Sequence, residues 1–321
     1  MFRVRWGIRR MNYTVRPGLY AVGLPDRQSE ILVTANYRMT FDLLRSALDG
    51  LDVWVLVLDT KGINVWCAAG KGTFGTDELV ARIKDSRLAS VTDRSRIILP
   101  QLGAPGVAAH RVKELSGFRV VYGPIEARDI AGFLAGNLRA SPAMRVKSFP
   151  IRERAALIPM ELVPSLKYAV LIGAALALLS GLFGRGTFTS DALHAGFTAA
   201  ISLSLAVVAG AVLVPLLLPW LPGRAFSLKG FWTGTAAAAV LLALSSASGT
   251  TLTNLETASW VLLIPALSSF LGLNFTGSST FTSLAGVRRE MRIAVPLQAG
   301  ALILGLAIWI LALIFSRGGS L

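Results

Sequence analysis

Val53-Trp54-Val55-Leu56-Val57-Leu58-Asp59 is an apolar, β-branched run. Thr60-Lys61-Gly62 interrupts it ahead of Ile63-Asn64-Val65-Trp66-Cys67-Ala68-Ala69-Gly70-Lys71-Gly72-Thr73-Phe74. The first run reads as a buried strand and the second as a short helix, with Asn64 as its N-cap. Working outward, Ile31–Ala35, Arg96–Leu99 and Phe118–Tyr122 have the same strand character. Helix-like stretches separate them at Phe41–Leu48, Asp77–Lys84, Val107–Leu115 and Ala127–Leu138. Alternating strand and helix predicts an α/β domain with a mainly parallel sheet. Such sheets bind ligands past the carboxyl ends of their strands. Small and polar residues gather at those ends: Thr34-Ala35-Asn36-Tyr37, Thr60-Lys61-Gly62, Pro100-Gln101-Leu102-Gly103 and Gly123-Pro124.

Cys67 is the only cysteine in 321 residues, so it forms neither an internal disulfide nor a multi-cysteine metal cage. It is either inert packing or the reactive atom of the domain. An Asn64 cap puts it in the first helical turn, where backbone N–H groups and the helix dipole favour thiolate over thiol. Lys71 adds positive charge nearby, and Ala68, Ala69 and Gly70 carry almost no side chain. A helix of this kind can lie close against a large planar partner.

The chain divides into two unlike parts, residues 1–162 and 163–321. The first carries 24 of the 32 Lys/Arg and 15 of the 18 Asp/Glu, and the second is apolar throughout. The net charge of +14 is scattered rather than clustered, which favours an anionic lipid surface over nucleic acid. The N-terminus, Met1 to Arg10, has charge but no apolar segment after it and is not a signal peptide. Five stretches satisfy the length of a spanning helix: Ser165–Phe183, His194–Pro219, Gly230–Ser248, Thr257–Thr276 and Val295–Phe315. Pro215 and Pro219 predict a kinked or interfacial end to the second. Arg224, Lys229, Arg288, Arg289 and Arg292 fall in the loops on the N-terminal side, whereas the opposite loops hold only Arg185, with Arg317 in the tail. That asymmetry expects an integral inner-membrane protein whose N-terminal domain faces the cytoplasm. Few charges lie within the spans, which reads as an anchor rather than a transport path. The hydroxyl-rich run Asn274–Ser283 is either a capping turn or one wall of a site.

Several chemistries are excluded. Val65 and Gly72 break the phosphate-loop spacing around Gly70-Lys71, and no G-x-G-x-x-G follows a strand. His110 and His194 are the only histidines, so no zinc or iron–sulfur ligand cluster exists in the sequence. A Cys–His hydrolytic pair would need His110, which reads as an incidental residue at a helix start.

With these residues in view, the chain resembles the mercury-methylating corrinoid protein family (HgcA). The family signature, N-(V/I)-W-C-A-(A/G)-G-K, is complete as Asn64 to Lys71. Arg5-Trp6-Gly7, Pro17 to Gly23, Val33 to Tyr37 and the Asn274–Arg292 stretch also resemble it, as does the order of a soluble domain before five spans. A more distant likeness is to the large subunit of the corrinoid iron–sulfur protein of the acetyl-CoA pathway. Its strand-end texts look like Leu32 to Asn36, Asp59 to Gly62, Ile97 to Pro100 and Val121 to Pro124. Its cysteine-rich cluster motif is missing from this chain.

The resemblance implies a Rossmann-like corrinoid-binding domain holding cobalamin base-off, with Cys67 as lower axial cobalt ligand and methyl-cobalt as intermediate. No D-x-H-x-x-G motif competes for that role. A thiolate opposite a methyl group should weaken the cobalt–carbon bond and favour departure with electron density, as carbanion equivalent or radical. Hg(II) accepts such a group, so the implied activity is a corrinoid-dependent mercury methyltransferase. The alternative is a membrane-bound methyl carrier of one-carbon metabolism. Asn64, Val65, Trp66, Ala68, Ala69, Gly70 and Lys71 would form the cofactor helix. Thr60, Gly62, Gly103, Gly123 and Pro124 would contact the macrocycle or its tail, and Thr34, Asn36 and Tyr37 the methyl-bearing side. With no iron–sulfur cluster in this chain, electrons would come from a ferredoxin-like partner with two 4Fe–4S clusters (HgcB-type). The methyl group would come from a one-carbon donor.

Overall fold

The computed structural model describes residues 6, 13–184, 186–248, 252–279, 282 and 284–315. They fall into two compact units: residues 13–148 form the first, and Trp6 groups with the residues from Phe149 onward in the second. The division lies ahead of a helix that starts at Ile151 and runs unbroken through the composition change at residue 162.

The first unit is built on a five-stranded sheet of order β1-β3-β2-β4-β5. Its strands are β1 (Gly18–Val22), β2 (Ile31–Ala35), β3 (Val53–Leu58), β4 (Arg96–Leu99) and β5 (Arg119–Tyr122). β2 to β5 pair in parallel, and β1 lies antiparallel on the outer edge of β3. The central strands are continuous apolar runs because both faces are covered. On one face Ile31, Val33, Leu56, Leu58, Ile97 and Leu99 pack with Val65, Ala68, Phe74, Leu79 and Val112. Those partners come from α2 (Val65–Lys71), α3 (Thr76–Asp85), α5 (Ala109–Ser116) and the segment after α2. On the other face Leu32, Val55, Val57 and Ile98 pack with Phe41, Leu44, Ile130 and Phe133. These belong to α1 (Arg38–Ala47) and α6 (Ile130–Ala135), while a single turn, α4 (Leu88–Val91), precedes β4. The doubly covered, mainly parallel sheet agrees with the expected fold class. β1 was not expected, because Gly18–Val22 is a short half-buried run whose partner lies more than thirty residues on.

β2 is followed by α1 and then β3 on one side of it, and the chain returns over β2 to place β4 on its other side. The strand order therefore reverses between β2 and β4, which is where open α/β sheets form a ligand crevice. β4 leads into a 3-10 turn, Gln101–Gly106, and α2 packs against that turn. The approach tolerates no added carbon. A Cβ on Gly106 would meet the Phe74 carbonyl oxygen at 2.1 Å and the Ala69 Cα at 3.1 Å. A Cβ on Gly103 would meet the Phe74 ring at 2.5 Å.

Among the described residues of the second unit, five helices are long and apolar enough to cross a membrane. They are α7 (Ile151–Phe183), α8 (Phe188–Val207), α9 (Phe226–Ser248), α10 (Asn254–Asn274) and α11 (Leu284–Phe315). α8 continues through a π-helical segment, Val208–Leu213, and a short helix, Val214–Leu217. The break sits beside Pro215, which cannot donate to the helical ladder, as the expected kink requires. Carbonyls at this end are met by two buried cations. Arg154 Nη1 donates to Pro215 O and Leu216 O at 3.1 and 2.6 Å, and Lys229 Nζ donates to Leu218 O and Leu221 O at 2.7 and 2.6 Å. α9 and α10 meet through small residues; a Cβ on Gly230 would lie 2.4 Å from Ser268 O. The helices extend beyond the apolar stretches marked in the sequence. Arg288, Arg289 and Arg292, expected in a loop, lie on α11, and Lys229 lies on α9. Helical backbone continues past the apolar segment because its ladder satisfies every peptide group whether the side chains are apolar or charged. Arg185, Thr280, Phe281, Ser283, Arg317 and residues 1–5 and 7–12 lie outside the described residues.

Phe74 is wholly buried, so Phe74→Ala should cost the first unit about 3–5 kcal/mol. Gly106→Ala should be at least as damaging, because its clash is with backbone. Denaturant unfolding of the full chain, followed by hydrogen exchange in β2, β3 and β4, measures both.

Candidate functional site

The site grows from the turn between β3 and α2. Lys61 and Gly62 both take left-handed backbone conformations, with φ of 57° and 70°. Two such residues in succession reverse the chain, and Gly62 does so at no steric cost. The turn is held by one side chain from β2's end. Asn36 Oδ1 accepts from Thr60 N at 3.1 Å, Thr60 Oγ1 at 2.8 Å and Gly62 N at 3.0 Å. Its amide Nδ2 donates to Asp59 Oδ1 at 3.2 Å. Ile63 O, 2.6 Å from Thr60 Oγ1, is the alternative acceptor for that hydroxyl's single proton. Asp59 in turn accepts from Lys61 N and pairs with Lys61 Nζ at 2.6 Å, and its own N–H donates to Glu78 Oε1 at 2.7 Å. The hydrogen bond from Lys61 holds the Asp59 carboxyl below the usual carboxylate range, against partial burial.

From this turn α2 leaves with Asn64 as its N-cap. Asn64 Oδ1 accepts from Cys67 N at 2.9 Å, so Cys67 occupies the first turn as its spacing predicts. Gly72, at φ 82°, closes the helix after seven residues, and Phe74 N returns to Ala68 O at 3.1 Å. Cys67 and Trp66 are half-buried, and Gly70 and Lys71 are exposed. Val65, Ala68 and Ala69 face inward and belong to the sheet's core.

This sorts the residues singled out in the sequence. Asn64, Trp66, Cys67, Gly70 and Lys71 are brought together on the open side of α2. Val65, Ala68 and Ala69, singled out as part of the cofactor helix, are buried in the sheet's core and do not belong to that surface. The alanines are small enough for α2 to lie close on Gly106. Thr34, Asn36 and Thr60 are 2%, 5% and 0% exposed, so their side chains build the rim and do not line it. Tyr37 is buried as well. Gly103 and Gly123 are also buried; Gly103 accommodates Phe74, and a Cβ on Gly123 would press on Ile98 at 3.0 Å. Pro124 is buried beside Gly123, whose N–H donates to Leu99 O at 2.9 Å. What sequence reasoning missed is the role of Asn36 as the organising group. Its signal was present, since a buried Asn at a parallel strand's end must satisfy four hydrogen-bonding positions. Among the described residues no group of three or more His, Cys, Asp or Glu could hold a metal ion.

The switch point of a doubly covered, mainly parallel sheet is where α/β domains commonly bind ligands, and here the half-exposed Cys67 stands beside it. Residues 9–134 match the family described as CO dehydrogenase/acetyl-CoA synthase delta subunit. The chain is 30% identical over 126 residues to a corrinoid/iron–sulfur protein large subunit from Moorella thermoacetica, covering 39% of this chain and 28% of that protein. It is 32% identical over 127 residues to an acetyl-CoA decarbonylase/synthase complex subunit gamma 2 from Methanosarcina thermophila, covering 37% and 26%. The subunit gamma from Methanopyrus kandleri is 28% identical over 122 residues, again with 37% and 26% covered. The chain thus spans little more than a quarter of the length of these relatives, and the likeness lies in the first unit.

Asn36→Ala should expose the Thr60 and Gly62 amides to exchange and cost about 1–3 kcal/mol, the penalty for unpaired buried groups. The Asp59–Lys61 pair joins an exposed lysine to a partly buried carboxylate, so its contribution to stability is small. Because the folded-state value of Asp59 is lowered, that contribution is present above about pH 4, the unfolded value, and is lost as pH falls through the folded one. The stability difference between wild type and Lys61→Met should therefore vanish on acidification, as denaturant titrations at stepped pH would record.

Proposed function

We propose that this chain is a membrane-anchored, corrinoid-binding methyl-transfer protein, with its cofactor at the carboxyl edge of the first unit's sheet. The observation that carries the reading is the placement of Cys67. It is the chain's one thiol, half-exposed, in the first turn of a helix packed at the point where strand order reverses. The donor set fits the group: a corrinoid with its own base displaced leaves one axial position for a protein ligand, and a thiol stands at the crevice to supply it. When bound, the corrinoid supplies a cobalt centre that takes up and passes on a methyl group. The names of the relatives, a corrinoid/iron–sulfur protein and subunits of acetyl-CoA complexes, support this class of chemistry.

The chain's own residues provide the support. Asn64 fixes the start of α2 and therefore the height of Cys67 above the sheet. Asn36 locks the preceding turn, so the thiol is held by a rigid connection rather than a free loop. Trp66, Gly70 and Lys71 offer an aromatic edge, a flat spot and a cation for the cofactor's periphery. Thr60, Gly62, Gly103, Gly123 and Pro124 shape the crevice from behind. Contacts from Thr34, Asn36 and Thr60 to the cofactor would be made by backbone.

The coarser assignment, a methyl carrier of acetyl-CoA-type metabolism, rests on the relatives. The finer one is transfer of the methyl group to Hg(II), and it rests on the complete Asn64–Lys71 signature with its thiol ligand. Both need a reductant from another polypeptide, for which a ferredoxin-like protein with two 4Fe–4S clusters is the proposed partner. The five helices would anchor the chain, with the first unit on the cytoplasmic side.

The visible spectrum of the full chain with bound cobalamin tests the ligand. Wild type should give a base-off, thiolate-ligated spectrum that Cys67→Ala loses and Cys67→His replaces. Identical spectra for wild type and Cys67→Ala would overturn the role of Cys67. Anaerobic incubation with methylcobalamin and Hg(II) separates the two acceptors. Protein-dependent methylmercury, lost in Cys67→Ala, is the outcome expected of a mercury methyltransferase, and its absence beside an intact spectrum leaves the carrier.

A further inference from the structure

After α6 the chain turns back toward the carboxyl edge of the first unit's sheet. Asn137 and Leu138 reverse it, both in left-handed backbone conformations with φ of 52° and 61°. The returning segment, Ser141 to Ser148, is held at three points. Ile125 N, just past β5, donates to Met144 O at 3.0 Å. The Met144 side chain packs on the core that contains Ile130 and Phe133. Lys147 Nζ pairs with Glu126 Oε1 at 2.9 Å. Arg145 lies between these anchors, at the end of a 3-10 turn, Ala143–Arg145. Its Nη1 donates to Gln101 Oε1 at 2.7 Å.

Gln101 opens the 3-10 turn against which α2 packs, at the end of β4 and beside the point where strand order reverses. The bond therefore carries the guanidinium to the crevice. It leaves the charge uncompensated, because the partner is a neutral amide. Glu126 is already shared by Lys147 and Arg128, at 2.9 and 2.8 Å. Lys61, at the end of β3, is matched by Asp59. Among the described residues Arg145 takes part in no such pair. A guanidinium carries five N–H donors, and the bond to Gln101 uses one of them. Arg145 is exposed, so the others are open to a ligand. A forked cation of this kind suits a phosphate, whose oxygens accept two donors at once. Glutamate at position 101 would make the same bond and cancel the charge, whereas glutamine makes it and keeps the charge.

We propose that Arg145 and Gln101 form a subsite for the phosphate on the tail of the corrinoid. The proposal rests on the corrinoid reading of the crevice. A cobalamin carries amides around its ring and one anionic group, the phosphodiester of its nucleotide tail. With the base displaced from cobalt, the tail is no longer folded against the ring and needs a contact of its own. Arg145 supplies the charge, and Gln101 Nε2 supplies a neutral donor beside it. Neither residue belongs to α2, so ring and tail are held by different elements. Arg145 also lies beyond residues 9–134, the part of the chain that matches the family. The charge in this subsite therefore comes from the segment that follows the matched region.

Cobinamide phosphate and cobinamide test this, because they differ in the phosphate alone and neither has a base to displace. Each is dialysed to equilibrium against the full chain in phosphatidylcholine nanodiscs, and the bound fraction is read from the corrinoid absorbance. Wild type should bind cobinamide phosphate about tenfold more tightly than cobinamide, a difference of about 1.4 kcal/mol. Added salt should shrink that preference. Arg145→Gln should abolish it while leaving cobinamide binding unchanged. Gln101→Glu should abolish it too, by neutralising Arg145 in place. Equal binding of the two probes by wild type overturns the proposal and leaves the corrinoid reading standing. A preference that survives Arg145→Gln does the same. Binding of neither probe overturns the corrinoid reading and this proposal with it. Loss of the preference in phosphatidylglycerol nanodiscs would assign Arg145 to a lipid headgroup and also overturn the proposal.

Discussion

The carboxamide of Asn36 is the interaction on which the first unit's site depends. Without Oδ1 accepting from Thr60 and Gly62, the two left-handed residues at Lys61 and Gly62 would have no reason to hold one conformation. That turn fixes where Asn64 begins α2, and Asn64 fixes Cys67. The chain of cause is short and polar: one buried amide, one turn, one cap, one thiol. All of it lies at the end of apolar strands that carry no chemistry of their own. A rigid sheet thus lends its precision to a sulfur atom through four hydrogen bonds.

Close packing supplies the second constraint. α2 rests on Gly106 at a distance that excludes a Cβ, and its inward residues are accordingly Ala68 and Ala69. The small residues of the Asn64–Lys71 segment therefore serve two purposes. The inward pair lets the helix approach the sheet, and Gly70 keeps the outer side flat. A seven-residue helix has too little backbone cooperativity to stand alone, so this contact is what makes it a helix at all.

Much of this was legible in the sequence, and the limits were physical. β2 and β4 were readable to the residue because fully buried parallel strands are uninterrupted apolar runs. β1 was not, since an edge strand of five residues, four half-buried and one exposed, has no period long enough to register, and its stability comes from β3. The cap at Asn64 was legible because capping is local. The inward turn of Ala68 and Ala69 was not, because a seven-residue helix of small side chains has no apolar face to read; its orientation is decided by Gly106, far away in sequence. Thr34 and Thr60 looked like crevice residues for the same reason: their position at strand ends is visible in sequence, but their burial is not. In the second unit the apolar lengths marked the spans, whereas the helices' charged extensions carried no hydropathy signal.

In the second unit most buried polar side chains are paired, although Arg154 Nε, Ser202 Oγ, Trp260 Nε1 and Gln298 Oε1 are buried without a partner. Where α8 breaks near Pro215, Arg154 and Lys229 are brought in to meet the carbonyls, with the Arg154 guanidinium 5.6 Å from the Trp220 ring. Where α9 and α10 touch, Thr233 and Ser268 bond to each other at 3.2 Å, and between α10 and α11 Ser259 donates to Gly305 O at 2.9 Å. Polar groups in an apolar bundle are costly unless paired, so each of these pairs explains why its residues are tolerated. Gln298 is half-explained by this logic: its nitrogen is used and its oxygen is not. A glutamine retained for Ser269 alone could be replaced by any donor without leaving an orphan. Gln298 Oε1 is sealed from the groove that the residue borders between α9, α10 and α11, so its cost is borne within the bundle for the sake of the bond to Ser269.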